Sequence, residues 1–428
     1  MNTQTSSFSY LEPSDIRLSK VRLRHHSAAL ADIPGAVTKA LSPLCDKLRP
    51  GMRIAITAGS RGIRNMDIIV RTVAEYVSSR GASPFVIPAM GSHGGATAQG
   101  QKELLAGYGI TEASVSAPII SSMEVVQIGT TPGEPHIPVF MDKNAWESDG
   151  VIVVNRVKPH TDFHGTHESG VVKMMTIGLG KHRQALEMHR HGSAGLRDYI
   201  PEVSRVVAAS GRILGALGIV EDGYDNTSIV RFAQGMEIFD MDRELLVTAR
   251  ENIPRLPFDD LDLLIVDEIG KNYSGTNLDT NVIGRIAVAD ETDGKPFCRV
   301  IVALDLSEKS HGNALGVGLA DVVTERLRSR IDWKATYENV ITSGFLKRGF
   351  LPVVQETDRD AVRTGIRGLG RAATAHDIRL ARIRNTLRLD EIWISDALKA
   401  EFSAEDYVGE NTTDIPLSFD ENGIIMPF

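Results

Sequence analysis

Apolar runs alternate with helical patterns through the first half of the chain. RIAITAGS (53–60) is a short apolar run that ends in small residues, and MDIIVRTVAEYVSSRG (66–81) follows it with helical spacing. PFVIPAMGSHGG (84–95) and TAQGQKELLAGYG (97–109) repeat this order, and GVIVVNRVKPH (150–160) begins a third unit. Strands that alternate with helices predict an α/β fold with a mostly parallel sheet covered on both faces.

A similar pattern returns in the second half, after a segment punctuated by prolines. PRLPFDDLDLLIVDEIGKNYSG (254–275) leads into a new apolar strand, and RVIVALDL (299–306) predicts another. GLADVVTERLRSRI (318–331) predicts a helix. TLRLDEIWISDALKAEF (386–402) predicts a strand followed by a helix.

These patterns predict two α/β domains, in line with the length of 428 residues. We place the first domain at 1–255 and the second at 256–389. The tail, about 390–428, is a candidate for return to the first domain. Because ligands of parallel sheets bind beyond the carboxyl ends of the strands, we expect the active site in the cleft between the domains.

The composition excludes several classes of protein. A formal charge of -8 with both signs interspersed leaves no broad basic face for nucleic acid. The N-terminus has no apolar signal core, and no apolar run approaches the length of a membrane helix. Cys45 and Cys298 are too few for a disulfide framework. We therefore expect a cytoplasmic protein that acts on or binds a small molecule.

Histidines are concentrated in one part of the chain, where six of the twelve fall between residues 160 and 191. His160, His164 and His167 have the spacing of a zinc site on a helix. Pro159 and Gly165 instead favour a loop that leaves a strand. A zinc-dependent hydrolase that uses these three histidines is the alternative hypothesis.

The following segment, GKHRQALEMHRHG (180–192), predicts a helix closed by Gly192. At 3.6 residues per turn, His182 and His189 lie on nearly the same face, and His191 points almost the opposite way. A single site can therefore use only one of the last two histidines.

Two loops after predicted strands carry groups suited to anions. GSHGGAT (91–97) combines glycines with His93 ahead of a predicted helix, a pattern that lets backbone amides approach a phosphate or carboxylate. SRGIR (60–64) supplies Arg61 and Arg64, whose guanidinium groups match a carboxylate.

In order and spacing, these residues resemble the nickel-pincer lactate racemase family over most of the chain. His93 in GSH and His160 in KPH are similar to the family's two catalytic histidines. Lys173 in ESGVVK matches the lysine that lies against a nickel-bearing pyridinium mononucleotide. His189 matches the histidine that completes the nickel coordination, and Arg61 matches a substrate-contacting arginine.

The resemblance implies a catalytic and cofactor-binding first domain. The nickel-pincer nucleotide would be held by Lys173, His189 and a phosphate-binding turn at Ser169 and Gly170, with His189 as the metal ligand. It also implies a small 2-hydroxy acid as substrate and cofactor-synthesis enzymes as partners. The oligomeric state is open.

The sequence departs from the lactate enzymes on the substrate side. Ala58 stands where they have an acid, three residues before the arginine. In SGTNLDTNVIGR (274–285), Gly284 stands in place of a glutamine, so Lys271 and Arg285 are the nearby candidates for substrate binding. Lactate, malate, longer hydroxy acids and sugar acids all remain possible substrates.

The implied reaction inverts a 2-hydroxy acid by hydride transfer to the pyridinium cofactor. Removing the α-hydrogen as a proton would place a carbanion beside a carboxylate, whereas removing it as hydride avoids this charge if an electron-poor pyridinium accepts the hydride and a base takes the hydroxyl proton. Histidine can accept and return that proton near neutral pH, and two histidines on opposite sides serve the two enantiomers. A non-catalytic sugar-acid or nucleotide-binding protein with this fold is a further alternative.

Overall fold

The computed structural model describes residues 11–59, 63–401 and 414–427. In these residues the strands are β1 (Arg17–Arg22), β2 (Arg53–Ala58), β3 (Ser83–Pro88), β4 (Val125–Thr130), β5 (Pro138–Asp142), β6 (Gly150–Arg156), β7 (Ile213–Glu221), β8 (Thr227–Ala233), β9 (Asp260–Val266), β10 (Phe297–Ala303), β11 (Val322–Thr324), β12 (Val353–Gln355), β13 (Leu380–Ile383), β14 (Glu391–Ser395) and β15 (Ile415–Pro416).

The α-helices of the same residues are α1 (Ile33–Ala40), α2 (Met66–Ser79), α3 (Ala98–Gly107), α4 (Glu112–Val115), α5 (Lys143–Trp146), α6 (Val171–Lys173), α7 (Lys181–His189), α8 (Gly192–Ala194), α9 (Ile200–Ala209), α10 (Glu237–Asn252), α11 (Lys271–Ser274), α12 (Thr280–Ile283), α13 (Glu325–Ser329), α14 (Trp333–Ser343), α15 (Asp358–Arg367) and α16 (Asp396–Lys399). None of these helices combines the length and the apolar character that crossing a membrane would require.

The chain divides into two compact units. The first unit is His25–Ile253, and the second unit joins the residues up to Arg24 with those from Pro254 onward. Each unit contains its own α/β sheet, so the predicted fold class is confirmed.

The first unit contains a five-stranded sheet in the order β3-β2-β6-β7-β8, parallel except for β8, and a separate β4-β5 hairpin. Leu217 and Ile219 of β7 join the apolar cluster that includes α2. A Cβ on the intervening Gly218 would lie 2.6 Å from Leu245 of α10. Since successive strand residues point to opposite faces, helices cover both sides of this sheet, as predicted.

The second unit contains an eight-stranded sheet in the order β12-β11-β10-β9-β13-β14-β1-β15. Its first five strands are parallel, and β14, β1 and β15 extend it by antiparallel pairing. The expected return of the tail to the first domain is therefore wrong for β14. This strand pairs with β13 because Ile392 and Ile394 are fully buried in the core of the second unit.

The predicted helix over 318–331 is also wrong in its first part. Val322–Thr324 forms β11, a buried strand between β10 and β12, and the helix α13 begins only at Glu325. The β-branched side chains of Val322 and Val323 suit that buried strand position. Thr324 ends the strand and accepts a hydrogen bond from the Leu327 amide as the N-cap of α13.

Candidate functional site

A closed loop follows the carboxyl end of β6 in the first unit. Lys158 and Ser169 exchange both backbone hydrogen bonds, at 2.7 and 3.2 Å, so residues 159–168 leave and return at one point. The loop was predicted as irregular backbone leaving a strand, and this prediction is confirmed. The closure fixes His160 at the carboxyl edge of the sheet, where ligands of parallel sheets bind.

The imidazole of His160 is held by three neighbours. Its Nδ1 accepts a hydrogen bond from the Asp162 amide at 3.1 Å, and its ring stacks on the buried ring of Phe163 with 4.6 Å between centroids. Its Nε2 contacts Nζ of Lys173. Nδ1 is therefore engaged by the loop backbone, and Nε2 is the nitrogen directed out of the loop, toward Lys173.

Glu168 closes the loop from inside and is almost fully buried. Its carboxylate accepts from the amides of His160 and Gly165 at 2.6 and 3.1 Å and pairs with Arg250. Burial alone would raise the pKa of Glu168, but hydrogen bonds from His164, the His160 amide and Arg250 hold this pKa below its usual range. Glu168 therefore remains a carboxylate that orients the loop.

The segment between Lys173 and His189 is not one straight helix. On one straight helix, sixteen residues apart, they would lie about 160° apart around the axis and about 24 Å apart along it. Instead, α6 continues into the π-helical turn Met174–Gly178, and the helical conformation is interrupted at Gly180 before α7 begins. A Cβ at Gly180 would lie 2.6 Å from the Thr176 carbonyl oxygen, so the interruption between the π-helical turn and α7 requires glycine at this position.

Burial and two charged side chains set the electrostatics of His189. Burial lowers the pKa of His189, the Lys173 ammonium lowers it further, and Asp162 opposes these effects. A lowered pKa keeps the imidazole neutral, which is the form that binds a metal ion. His160 and Lys173 are thus in contact, and the charge of Lys173 acts on His189; these are three of the five residues selected from the sequence.

The backbone amides in and directly after the turn at Ser169 and Gly170 are hydrogen-bonded to other groups of the protein. The buried carboxylate of Asp242, from α10, accepts from the amides of Val171 and Val172 at 2.7 and 3.3 Å, and it pairs with His167 at 3.1 Å. The Ser169 amide is engaged by the Lys158 carbonyl. Asp242 thus occupies the amides directly after this turn, so the structure gives no support to the phosphate-binding role expected of Ser169 and Gly170.

This arrangement predicts a specific effect of a methyl group at Gly170. Its backbone is extended, with φ of -163°, so alanine fits the dihedral angles, but a Cβ would lie 2.1 Å from Asp242 Oδ1. We expect Gly170→Ala to lower the free energy of unfolding by about 1–3 kcal/mol, measured by urea denaturation. Gly107→Ala is the control, because a Cβ there has no neighbour within 4 Å and favours the helix. Equal stabilities of the two variants would contradict this assignment.

His93 lies in the loop after β3, at the same edge of the sheet, and its residue is exposed. Three consecutive residues of this loop, Gly94, Gly95 and Ala96, have positive φ. A Cβ at Gly94 would lie 2.6 Å from the Gln101 amide nitrogen, so this glycine allows the loop to pack against α3. The glycines of GSHGGAT thus have an architectural role, and Thr97 rather than a ligand caps α3.

The remaining predicted residues lie elsewhere. Arg61 falls outside the described residues. In the second unit, Lys271 follows the carboxyl end of β9 and its Nζ contacts Asn339. Arg285 lies at the amino ends of β10 and β11, where it pairs with Asp321 at 2.8 Å and donates to the carbonyls of Leu319 and Cys298. Through these contacts Arg285 holds together the segments at the amino ends of β10 and β11. We therefore do not include it in the proposed site.

Sequence reasoning missed Lys181, which is fully buried. Its Nζ pairs with the buried Asp142 at 3.0 Å, lies 3.5 Å from Gln101 Oε1, and donates to the Pro88 carbonyl. Burial lowers the pKa of Lys181, and Asp142 opposes this shift. No signal in the sequence marks this residue, because lysine at the start of a polar helix is usually exposed.

The three histidines of the zinc hypothesis do not converge. His160 contacts Lys173, His164 lies 3.4 Å from Glu168, and His167 pairs with Asp242. In the part of the chain that the structure describes, no group of three or more metal-ligating side chains could hold an ion.

The fold defines a class, that of the α/β proteins with a lactate-racemase-like architecture. The solved structure of the lactate racemase apoprotein from Thermoanaerobacterium thermosaccharolyticum matches with a TM-score of 0.54 over 86% of this chain and 94% of that chain, at 12% sequence identity. A family model described as a domain of unknown function (DUF362) matches residues 64–241. No curated protein sequence matches the chain.

Proposed function

We propose that this protein is a racemase or epimerase of a 2-hydroxy acid that uses a nickel-pincer nucleotide. The observation that carries this proposal is the contact of His160 with Lys173, whose charge also acts on His189, at the carboxyl edge of the sheet in the first unit. The lactate-racemase-like fold supports it independently of these side chains.

The side chains present fit such a cofactor. Lys173 would lie against it, and the neutral imidazole of His189 would bind the nickel. When bound, the cofactor supplies an electron-poor acceptor for the α-hydrogen of the substrate. Ser169 and Gly170 adjoin this place, but their turn is braced by Asp242 and is not assigned to the phosphate.

His160 is assigned the role of acid and base toward the substrate hydroxyl. Its Nε2 is the nitrogen that points away from the loop, and its orientation is set by Asp162 and Phe163. Once Lys173 turns to the cofactor and the ring proton resides on Nδ1, beside the Asp162 carboxylate, Nε2 of His160 can take the hydroxyl proton and later return it. His93 is assigned the same role toward the other enantiomer, and Arg61 would bind the substrate carboxylate.

A panel of 2-hydroxy acids tests this proposal directly. Protein loaded with the nickel cofactor would be incubated with single enantiomers of lactate, malate, longer hydroxy acids and sugar acids, and inversion would be followed by chiral chromatography. We expect inversion of at least one acid by the loaded protein and none by the unloaded protein. Retention of nickel without inversion of any acid would instead favour a binding protein without turnover.

A further inference from the structure

A buried polar bridge connects the loop that carries His93 with the start of the helix that ends at His189. Gln101 on α3 is fully buried, and its Nε2 donates to the carbonyls of Gly91 and His93 at 2.9 and 3.2 Å. Its Oε1 lies 3.5 Å from Nζ of Lys181, the first residue of α7. The bridge therefore runs from the backbone of His93 to the element that carries His189.

The polar groups of the bridge engage one another. The amide nitrogen of Gln101 donates to two carbonyls, and its oxygen faces the ammonium group of Lys181. That ammonium group also donates to the Pro88 carbonyl at the end of β3 and forms an ion pair with Asp142. Buried polar contacts of this kind restrain the elements that they join.

The backbone at Lys181 adds a second observation. Lys181 has a φ of 55°, in the left-handed region that non-glycine residues rarely adopt. Such a conformation persists only where the surroundings enforce it, and it occurs most often at functional sites. Here the contacts of the lysine side chain hold the backbone turn at the start of α7.

We propose that Gln101 and Lys181 are positioning residues that hold the His93 loop against the helix of His189. Neither residue contacts substrate or cofactor in this assignment, and both act through the backbone of the elements they join. The inference rests on the proposed function for the roles of the two histidines, whereas the bridge itself rests on the contacts of Gln101.

The Gln101→Leu variant of the full chain tests the bridge without reference to turnover. We expect amide hydrogen exchange over residues 91–96 to accelerate by about tenfold and the NMR signal of the His93 ring to shift, since two buried carbonyls lose their donor. The His160 ring signal should stay in place. Ser148→Ala is the matched control, because it removes a buried hydroxyl that lies within hydrogen-bond distance of two carbonyls, those of Ala145 and Gly150, at the amino end of β6.

A second variant changes the other end of the bridge, at Lys181. Lys181→Met combined with Asp142→Asn removes the ammonium group without leaving a buried unpaired charge. We expect it to change the His93 signal in the same way. Wild-type exchange over 91–96 and an unshifted His93 signal in both variants would overturn the positioning role.

Turnover gives a separate readout in cofactor-loaded protein. Gln101→Leu is expected to lower kcat/KM by about 10- to 100-fold with nickel content unchanged and with one limb of the pH profile displaced, because His93 is misplaced. The Ser148→Ala control should keep the wild-type profile. If the wild-type protein inverts no acid, the proposed function fails, and the exchange and NMR results still decide whether the bridge positions the loop.

Discussion

His160→Ala is expected to slow the inversion of the hydroxy acid by about 10²–10⁴-fold in cofactor-loaded protein, because it removes the group assigned to move the hydroxyl proton. The variant should retain its nickel, since the metal ligand is assigned to His189 and the imidazole of His160 contacts Lys173. The rate of optical inversion and the metal content of the same preparation give both quantities.

His189→Ala is the matched variant with the opposite expectation. It removes the imidazole that burial and Lys173 keep neutral, so nickel content should fall along with activity. His136→Ala is a control for loss of any histidine, because His136 lies on the β4-β5 hairpin and is largely exposed. If His160→Ala and His189→Ala lost nickel to the same extent, the division of roles between base and ligand would be wrong.

Lys181→Met is expected to lower the free energy of unfolding by about 3–5 kcal/mol, the cost of leaving one buried charge without its partner. Asp142 is fully buried, and its second oxygen is already used by the Ala145 amide as the N-cap of α5. Removal of the ammonium group therefore leaves the carboxylate with no access to water. Urea denaturation monitored by circular dichroism measures the loss.

Two controls separate this effect from a general sensitivity to lysine removal. Lys102→Met breaks the exposed pair with Glu112 and should cost at most about 1 kcal/mol. The double variant Lys181→Met, Asp142→Asn should be more stable than Lys181→Met alone, because no buried charge remains. A loss below about 1 kcal/mol for Lys181→Met would show that Asp142 finds another partner or protonates freely.

Several parts of the site were accessible from the sequence because they depend on local chemistry. Pro159 and Gly165 indicate a loop after β6, and this loop is present. The pairing of His160 with Lys173 and His189 was expected from resemblance to a family, not from periodicity, since a straight helix would separate Lys173 from His189; the structure shows the contact of His160 with Lys173.

The roles of other site residues could not be predicted, because two local interpretations were equally consistent with the amino-acid sequence. Gly170 fits a phosphate-binding turn as well as a turn that admits a carboxylate, and only the position of α10 shows that Asp242 fills it. Arg285 has the charge of a substrate-binding residue, but its partners at the amino ends of the strands lie up to 36 residues away along the chain.

The sequence by itself determined the alternation of buried strands and amphipathic helices, because burial of apolar side chains at periods of 2 and 3.6 is a local property. Only the tertiary structure decided which strand joins which sheet, as β14 illustrates, and where buried charge is compensated, as Lys181 and Asp142 illustrate. These outcomes depend on partners distant along the chain, and the free energy of a buried charge is set by those partners and not by its neighbours in sequence.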